Sequence, residues 1–249
     1  MNERVSEFEL YKRASQYGDI HKKLAVLIAP YLEAQWDIAD IGCGSGAIDF
    51  FLAEHVRSIT AIDIDSEKID ALKADVDDAL SLHKSAAARI FPEVADERTL
   101  VERSWDMILL CFHARPANEL AALMSLARKR AIFIVHEKVP SEVFVPLRVE
   151  AEKCTSDLLD AQLKMLGCRY QKETVELPFG QPFRSVEEIH DYLGYYSKRI
   201  SDYNSAGILK EDAEKILRST EDRIIKTNRY DYPYYLPRSL SAGIFIVVT

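Results

Sequence analysis

Three glycines lie close together near residue 40, where a short apolar run gives way to a stretch with helical spacing. Residues 40–46 read Asp-Ile-Gly-Cys-Gly-Ser-Gly. Glycine permits a positive φ in a tight turn, and without a Cβ it lets a ligand approach the backbone closely. A helix predicted over 48–56 would add unpaired N–H groups and a partial positive charge. Seventeen positions after Gly46, Asp63 ends a second apolar run, where a carboxylate can accept both hydroxyls of a ribose. The pattern therefore predicts a nucleoside site.

The pattern allows two interpretations of which nucleoside is bound. The turn also satisfies the relaxed dinucleotide fingerprint, Gly42-x-Gly44-x-x-Ala47, which would indicate an NAD-dependent oxidoreductase. Asp40 favours another ligand, because a carboxylate beside the turn suits an ammonium and a sulfonium group better than a pyrophosphate. The mainly helical sequence before the first strand and the apolar run that closes the chain point the same way. These features disfavour NAD as the ligand.

The turn is set in a chain that alternates strand-like and helix-like segments. Alternation of this kind implies parallel strands joined by right-handed crossovers, hence an α/β, doubly wound, Rossmann-like sheet. Buried strands are predicted at 38–41, 59–64, 107–112, 131–135 and 243–248, with weaker candidates at 88–91 and 170–177.

Helices are predicted between and around these strands, and some of their ends carry recognisable signals. Arg128 to Arg130 is interpreted as the basic end of a helix that begins near Pro116. Ser185 and Glu188 are spaced as a capping box. The predicted helices cover 7–17, 20–32, 116–128, 142–166, 185–196 and 209–226. Since no repeat or low-complexity linker interrupts the chain, we expect a single domain over 1–249, with N-terminal helices at 1–35 and a helical, aromatic, substrate-side insertion at 178–240.

Composition excludes several classes of protein. The chain has 249 residues and a formal net charge of −8, which argues against a nucleic-acid partner. Because the first residues are polar, we expect no secretory signal. No stretch approaches the roughly 20 apolar residues that would span a bilayer. Its four cysteines are widely spaced, so we expect no disulfide framework and no metal site. A cytoplasmic protein is the expectation.

The glycine turn and the acid that follows it resemble those of the class I S-adenosylmethionine-dependent methyltransferases of small-molecule type. The family's acid-x-Gly-x-Gly-x-Gly turn is matched by Asp40, Gly42, Gly44 and Gly46, and its ribose-binding acid by Asp63. The resemblance extends over about residues 8–135 and the last strand. It implies a seven-stranded, mostly parallel sheet with an antiparallel last strand, S-adenosylmethionine as cofactor, and methyl transfer.

The resemblance also implies a set of cofactor-binding residues beyond the turn. Cys111, at the end of the fourth strand, would lie near the methionine moiety and act through its backbone carbonyl. Asp96 would belong to the loop beside the adenine, and Tyr17 to a leader segment that covers the cofactor. The complete implied set is Asp40, Gly42, Cys43, Gly44, Gly46, Asp63, Ile64, Asp96, Cys111 and Tyr17.

Methyl transfer is an in-line displacement, in which much of the catalysis is proximity and orientation. A base is needed only when the attacking atom carries a proton. His113, just after the fourth strand, is the first candidate base, and His136, after the fifth, is the second; either histidine could instead serve only in packing. Tyrosines at 192–196 and 230–235 are predicted to line a pocket for an apolar or cationic small molecule, or to pack a helical cap.

Three functions remain open on these residues. A small-molecule methyltransferase is the first, a protein that binds S-adenosylmethionine without methylating is the second, and an NAD-dependent oxidoreductase is the third. The helices over 185–227 are expected to form a lid or a dimer surface, which leaves a homodimer open.

Overall fold

The computed structural model describes residues 7–113, 119–137, 155–202 and 218–249. Its strands are β1 (Asp37–Ile41), β2 (Ser58–Asp63), β3 (Ile90–Val94), β4 (Trp105–Cys111), β5 (Ala127–His136), β6 (Arg169–Pro178), β7 (Gln181–Phe183), β8 (Ile225–Lys226), β9 (Tyr234–Leu236) and β10 (Ser239–Val248). Its helices are α1 (Glu7–Tyr17), α2 (Ile20–Ile28), α3 (Asp49–Leu52), α4 (Ser66–Ser81), α5 (Leu120–Ser125), α6 (Ser156–Met165) and α7 (Val186–Asp202).

A seven-stranded sheet forms the centre of the fold, in the order β3-β2-β1-β4-β5-β10-β6. The first five strands pair in parallel, and β10 runs antiparallel to β5. The predicted Rossmann-like sheet with an antiparallel last strand is confirmed. Because β1 lies between β2 and β4, the strand order reverses there, and ligands of such sheets bind outside the carboxyl ends of the strands at that point.

The inner strands are mostly apolar, as is typical of strands covered on both faces. In β4 every residue from Asp106 to Leu110 is buried. A core cluster that includes Ile108, Phe133 and Phe245 joins β4, β5 and β10. This packing holds the carboxyl ends of β1 and β4 in fixed register, with Asp40 opposite Leu109.

The described residues divide into two compact units. The larger holds residues 21–137, 155–175 and 241–249, and so contains the glycine turn. The smaller holds residues 7–20, 176–202 and 218–240, a range that overlaps the insertion predicted at 178–240. The organisation as a single domain with two additions stays a prediction.

The smaller unit has a sheet and a core of its own. Its three antiparallel strands follow the order β7-β9-β8. Phe183, Ile189, Tyr192 and Leu236 are buried together with Leu10 of α1. Tyr192, one of the tyrosines predicted at a substrate pocket or a packed cap, is therefore a core residue.

The capping box at the start of α7 forms in part. The Glu188 N–H donates to Ser185 Oγ at 3.2 Å, as predicted. The Glu188 carboxylate accepts the Arg184 N–H at 2.6 Å rather than that of Ser185, and also accepts from Arg13 Nη1 at 2.8 Å. Glu188 thus ties α1 to α7 within the smaller unit.

Three helix predictions are wrong in part. The basic cluster Arg128 to Arg130 belongs to β5 rather than to a helix end, because α5 stops at Ser125. Arg128 Nε and Lys129 Nζ lie 3.2 Å and 3.4 Å from Asp106 Oδ1, so both cations satisfy a carboxylate of the neighbouring strand.

The helix predicted over 209–226 ends before β8, where residues 225–226 pair with β9 instead. The helix predicted over 48–56 is a single turn, α3. The parts of the predicted helices at 116–118, 142–154 and 209–217 lie outside the described residues. No helix in the described part of the chain is long and apolar enough to cross a bilayer.

Candidate functional site

The glycine turn connects β1 to α3 and is anchored to β2. Gly42, Gly44 and Gly46 have φ of 71°, 57° and 60°, values that other residues adopt only with strain. The N–H groups of Gly42 and Cys43 donate to the Ile62 carbonyl at 2.8 Å and 2.9 Å. The turn is therefore held on the last residues of β2, beside the carboxyl end of that strand.

Asp63, the last residue of β2, bonds directly to the turn. Its Oδ2 accepts the Gly44 N–H at 2.9 Å, and its Oδ1 accepts the Asp65 N–H at 3.0 Å. Lys68 Nζ lies 4.0 Å from Oδ1. The predicted ribose acid and the predicted glycine turn thus form one hydrogen-bonded unit, and Ile64, 64% exposed, offers an apolar surface next to it.

The three glycines of the turn differ in what an added Cβ would contact. A Cβ on Gly42 would lie 2.2 Å from Cγ of the His113 ring, and one on Gly46 would lie 2.6 Å from the Leu72 side chain. A Cβ on Gly44 would meet nothing within 4 Å. Gly42 and Gly46 are therefore required by packing within the protein, whereas the turn opens outward at Gly44.

His113 packs against this turn. It follows β4, and its Nε2 lies 3.9 Å from Glu97 Oε1. The preceding residue, Phe112, has a φ of 54° and donates its N–H to the Ile134 carbonyl at 2.8 Å. This left-handed residue redirects the chain at the end of β4 and brings the first candidate base to the glycine turn.

The second candidate base, His136, lies at the end of β5. Its ring is tilted by 32° on the Phe112 ring, with 4.9 Å between the centroids. The geometry places both histidines but does not show either acting as a base, so the catalytic roles of His113 and His136 stay predictions.

The two cysteines of the predicted site are poor nucleophiles. Burial, and then the negative charge of Asp40 and Asp49, raise the pKa of the Cys43 and Cys111 thiols above the ordinary value. Only the thiolate of cysteine reacts readily. The Cys111 thiol is therefore unsuited to act as a nucleophile, and the role of its backbone carbonyl stays a prediction.

Asp40 and Asp49 form a buried carboxyl pair beneath the turn. Asp40 is 1% exposed and Asp49 is fully buried. Burial, together with the neighbouring Asp63 and despite a hydrogen bond with Asp49, raises the pKa of Asp40 to about 7. Burial and Asp40 raise the pKa of Asp49 well above its ordinary value. Among the residues described, no group of three or more His, Cys, Asp or Glu side chains could hold a metal ion.

Two residues predicted to bind the cofactor, Asp96 and Tyr17, interact with other protein side chains in the structure. Asp96 accepts the Arg98 N–H and its guanidinium, at 2.9 Å from Oδ1 in both cases, and so caps the short turn that follows. Tyr17 belongs to the smaller unit, where it stacks on Tyr235 at 4.8 Å and Arg229 lies 4.6 Å from its ring centroid. Their roles beside a cofactor stay predictions.

Sequence reasoning missed Asp49 and Glu97. A charged residue within the apolar run Ala47-Ile48-Asp49-Phe50-Phe51 was a signal, because a charge at a buried position needs a partner. Glu97 carried no comparable signal, since it lies in a polar loop.

Comparison with known proteins agrees with this geometry. Residues 38–130 match the family model described as a methyltransferase domain. No curated protein matches the chain by sequence.

Solved structures share the fold at low sequence identity. The YcgJ protein from Bacillus subtilis is 14% identical with a TM-score of 0.58, over 92% of this chain and 99% of that one. Magnesium protoporphyrin IX methyltransferase from Synechocystis PCC 6803, solved with bound S-adenosylhomocysteine, is 13% identical with a TM-score of 0.56, over 100% and 90%. A methyltransferase from Thiobacillus denitrificans, in complex with S-adenosylhomocysteine, is 18% identical with a TM-score of 0.52, over 95% and 96%.

Residues 38–130 thus match a methyltransferase domain, and the glycine turn bonded to Asp63 and the order of the seven strands agree with the resemblance of this chain to the class I S-adenosylmethionine-dependent methyltransferases.

Proposed function

We propose that this protein binds S-adenosylmethionine in the glycine turn of its larger unit and transfers the methyl group to a small-molecule acceptor. The hydrogen bond between Asp63 Oδ2 and the Gly44 N–H carries the proposal, because it holds the carboxylate that we expect to bind ribose beside the open part of the turn.

The residues around the turn fit this cofactor. Each Asp63 oxygen accepts one backbone N–H, and an ionised carboxylate has about four acceptor positions, so two remain for the ribose hydroxyls. The exposed side chain of Ile64 suits the face of a base. Asp40, at the carboxyl end of β1, suits the ammonium group of the amino-acid end.

The chemistry divides between cofactor and protein. S-adenosylmethionine supplies an electrophilic methyl group on a sulfonium. The chain must hold the acceptor in line with that group and exclude water, and His113, packed on Gly42, is the side chain best placed to take a proton from an acceptor that carries one. His136 is the second candidate.

The charge of the site disfavours NAD. Asp63 is bonded to the turn, and Asp40 and Asp49 lie buried beneath it, so a pyrophosphate there would lie beside acidic groups. A glycine turn that binds pyrophosphate relies instead on N–H groups at a helix N-terminus. Here α3 is a single turn, which weakens that contribution.

A small-molecule acceptor is supported by the kind of neighbour that shares the fold, since one of them is named for magnesium protoporphyrin IX. The formal charge of −8 supports it as well. The tyrosine-lined acceptor pocket stays a prediction. Tyr17, Tyr232 and Tyr235 form a ring cluster within the smaller unit, with the Arg229 guanidinium over two of the rings.

Calorimetric titration with S-adenosylhomocysteine tests the proposal. We expect binding by the wild type, and a loss of at least tenfold in affinity for Asp63→Asn, which keeps the shape but removes the charge. Asp70→Asn is the matched control, because Asp70 is an exposed residue of α4 whose carboxylate pairs with Lys73.

The acceptor is then sought by measuring S-adenosylhomocysteine production with a panel of small molecules. Binding without turnover on any acceptor would favour a cofactor-binding protein that does not methylate. Binding of NADH, with none of S-adenosylhomocysteine, would overturn the proposal.

A further inference from the structure

We propose that Asp49 is a positioning residue of the cofactor site, which shares one proton with Asp40 in the free protein and gives it up when the cationic end of the cofactor binds. This inference rests on the proposed function and assigns a role to a residue outside the glycine motif.

The geometry of the pair is unusual for two acids. Asp40 lies in β1 and Asp49 begins α3, and both side chains are buried. Three of their four oxygens, Asp40 Oδ1 and both of Asp49, receive no hydrogen bond from a donor in any other described residue. The two carboxyl groups face each other closely enough to share a hydrogen bond.

Two carboxyl groups can bond to each other only if at least one keeps its proton, because both oxygen sets are acceptors once ionised. Buried like charges at close range cannot both ionise without a large penalty. The raised pKa values of both groups agree with this picture. At neutral pH the pair therefore holds a proton.

The surroundings of the pair do not supply a cation. Among the described residues, the titratable groups that interact electrostatically with it are Asp63, Cys43 and Cys111, and each of them is an acid. In the ranges that the structure describes, no Lys, Arg or His contributes a charge to either carboxyl group. A second negative charge on the pair must come with a cation from outside.

The pair is placed to sense such a cation. Asp40 stands two residues before Gly42, and Asp49 Oδ2 lies 3.1 Å from the position that a Cβ on Gly46 would occupy. The carboxyl groups thus lie directly behind the turn. An ammonium group bound at the turn would stabilise the fully ionised pair, and the proton would pass to the solvent.

Because cofactor binding and proton release are thermodynamically linked, the pH must in turn affect the affinity for the cofactor. A ligand that releases a proton on binding must bind more tightly as the pH rises, until the free pair has lost its proton. The pair would therefore make affinity for the cofactor increase with pH near neutrality.

The test is calorimetry at pH 7 in phosphate and in Tris, whose ionisation enthalpies differ. The dependence of the observed enthalpy on the buffer gives the number of protons released. For wild-type protein with S-adenosylhomocysteine we expect about 0.5 to 1 proton. Methylthioadenosine, which lacks the amino-acid group, should release close to none.

Asp49→Asn is the decisive variant. Its amide can donate to Asp40, which would then ionise in the free protein, so binding should persist with proton release near zero and a flat affinity between pH 6 and 8. Folding is checked by the fluorescence of Trp36 and Trp105, both in the larger unit. Asp70→Asn, on the exposed face of α4, is the matched control and should release protons as the wild type does.

The outcomes separate the two proposals. Binding of S-adenosylhomocysteine without proton release by the wild type, or unchanged release by Asp49→Asn, would overturn the role of the pair and leave the proposed function standing. Failure of the wild type to bind S-adenosylhomocysteine would overturn both.

Discussion

Substitution of the glycines in the turn tests how the site is built, and the comparison of Gly42→Ala with Gly44→Ala is the sharpest case. Both glycines have a positive φ, 71° and 57°, and a left-handed conformation costs a non-glycine residue roughly 1–2 kcal/mol. They differ in what the new methyl group would meet. At Gly44 it would contact nothing within 4 Å, whereas at Gly42 it would lie 2.2 Å from the His113 ring.

The expected losses of unfolding free energy follow from this difference. Gly44→Ala should lose roughly 1–2 kcal/mol, from backbone strain alone. Gly42→Ala should lose about 1–3 kcal/mol more, because an overpacked ring must move. Replacing His113 by alanine in the Gly42→Ala background should recover most of that extra loss, since the ring that obstructs the methyl group is then absent.

Urea unfolding followed by tryptophan fluorescence measures these values. The chain has two tryptophans, Trp36 and Trp105, and both lie in the larger unit with the turn. Equal losses for the two glycine variants, or no coupling between Gly42→Ala and His113→Ala, would refute the packing of the candidate base on the turn.

Two further predictions concern buried acids. Because the pKa of Asp40 is raised to about 7, the pair stabilises the fold fully below about pH 4 and loses that contribution as the pH rises through 7. Asp49→Asn should therefore flatten the pH dependence of unfolding free energy and exceed the wild type at pH 8 by up to about 4 kcal/mol; a wild-type curve that rises from pH 5 to 8 with no difference in Asp49→Asn would contradict this. Burial alone would raise the pKa of Asp106, but hydrogen bonds from Arg128 and the Asp37 N–H, with the charges of Arg128 and Lys129, lower it. Asp106→Asn should lose roughly 1–3 kcal/mol of unfolding free energy at pH 7. Because the pKa of Asp106 is lowered in the folded protein, this loss should shrink as the pH falls below the ordinary aspartate range and vanish once Asp106 is protonated there; a loss that stays unchanged as the protein is acidified would contradict this account.

The sequence was sufficient for the parts of the fold that depend on local pattern. The turn, Asp63 and the strands around them could be predicted because glycine spacing and apolar runs report directly on backbone conformation and burial. The antiparallel last strand came from the resemblance, and β10 confirms it.

The remaining features depend on contacts between distant residues. Arg128 and Lys129 were assigned to a helix end because nothing local reveals that Asp106, on the neighbouring strand, requires cations. The short strands β7 and β9 pair residues as far apart as Gln181 and Leu236, and three-residue strands carry no periodicity.

In the candidate site too, local sequence pattern indicated some features, whereas others depend on contacts between distant residues. The acid at position 49 was visible in the sequence, but its partner was not, because the pairing with Asp40 arises only when α3 returns over the end of β1. The contact of His113 with Gly42 depends likewise on the left-handed Phe112.

A crystal structure of the protein with S-adenosylhomocysteine is the most direct test of cofactor binding at the glycine turn. We expect both ribose hydroxyls within hydrogen-bond distance of the Asp63 carboxylate, and the ligand in contact with the backbone at Gly44. A ligand bound elsewhere, or crystals in which Asp63 makes no contact with the ribose, would contradict the proposed function.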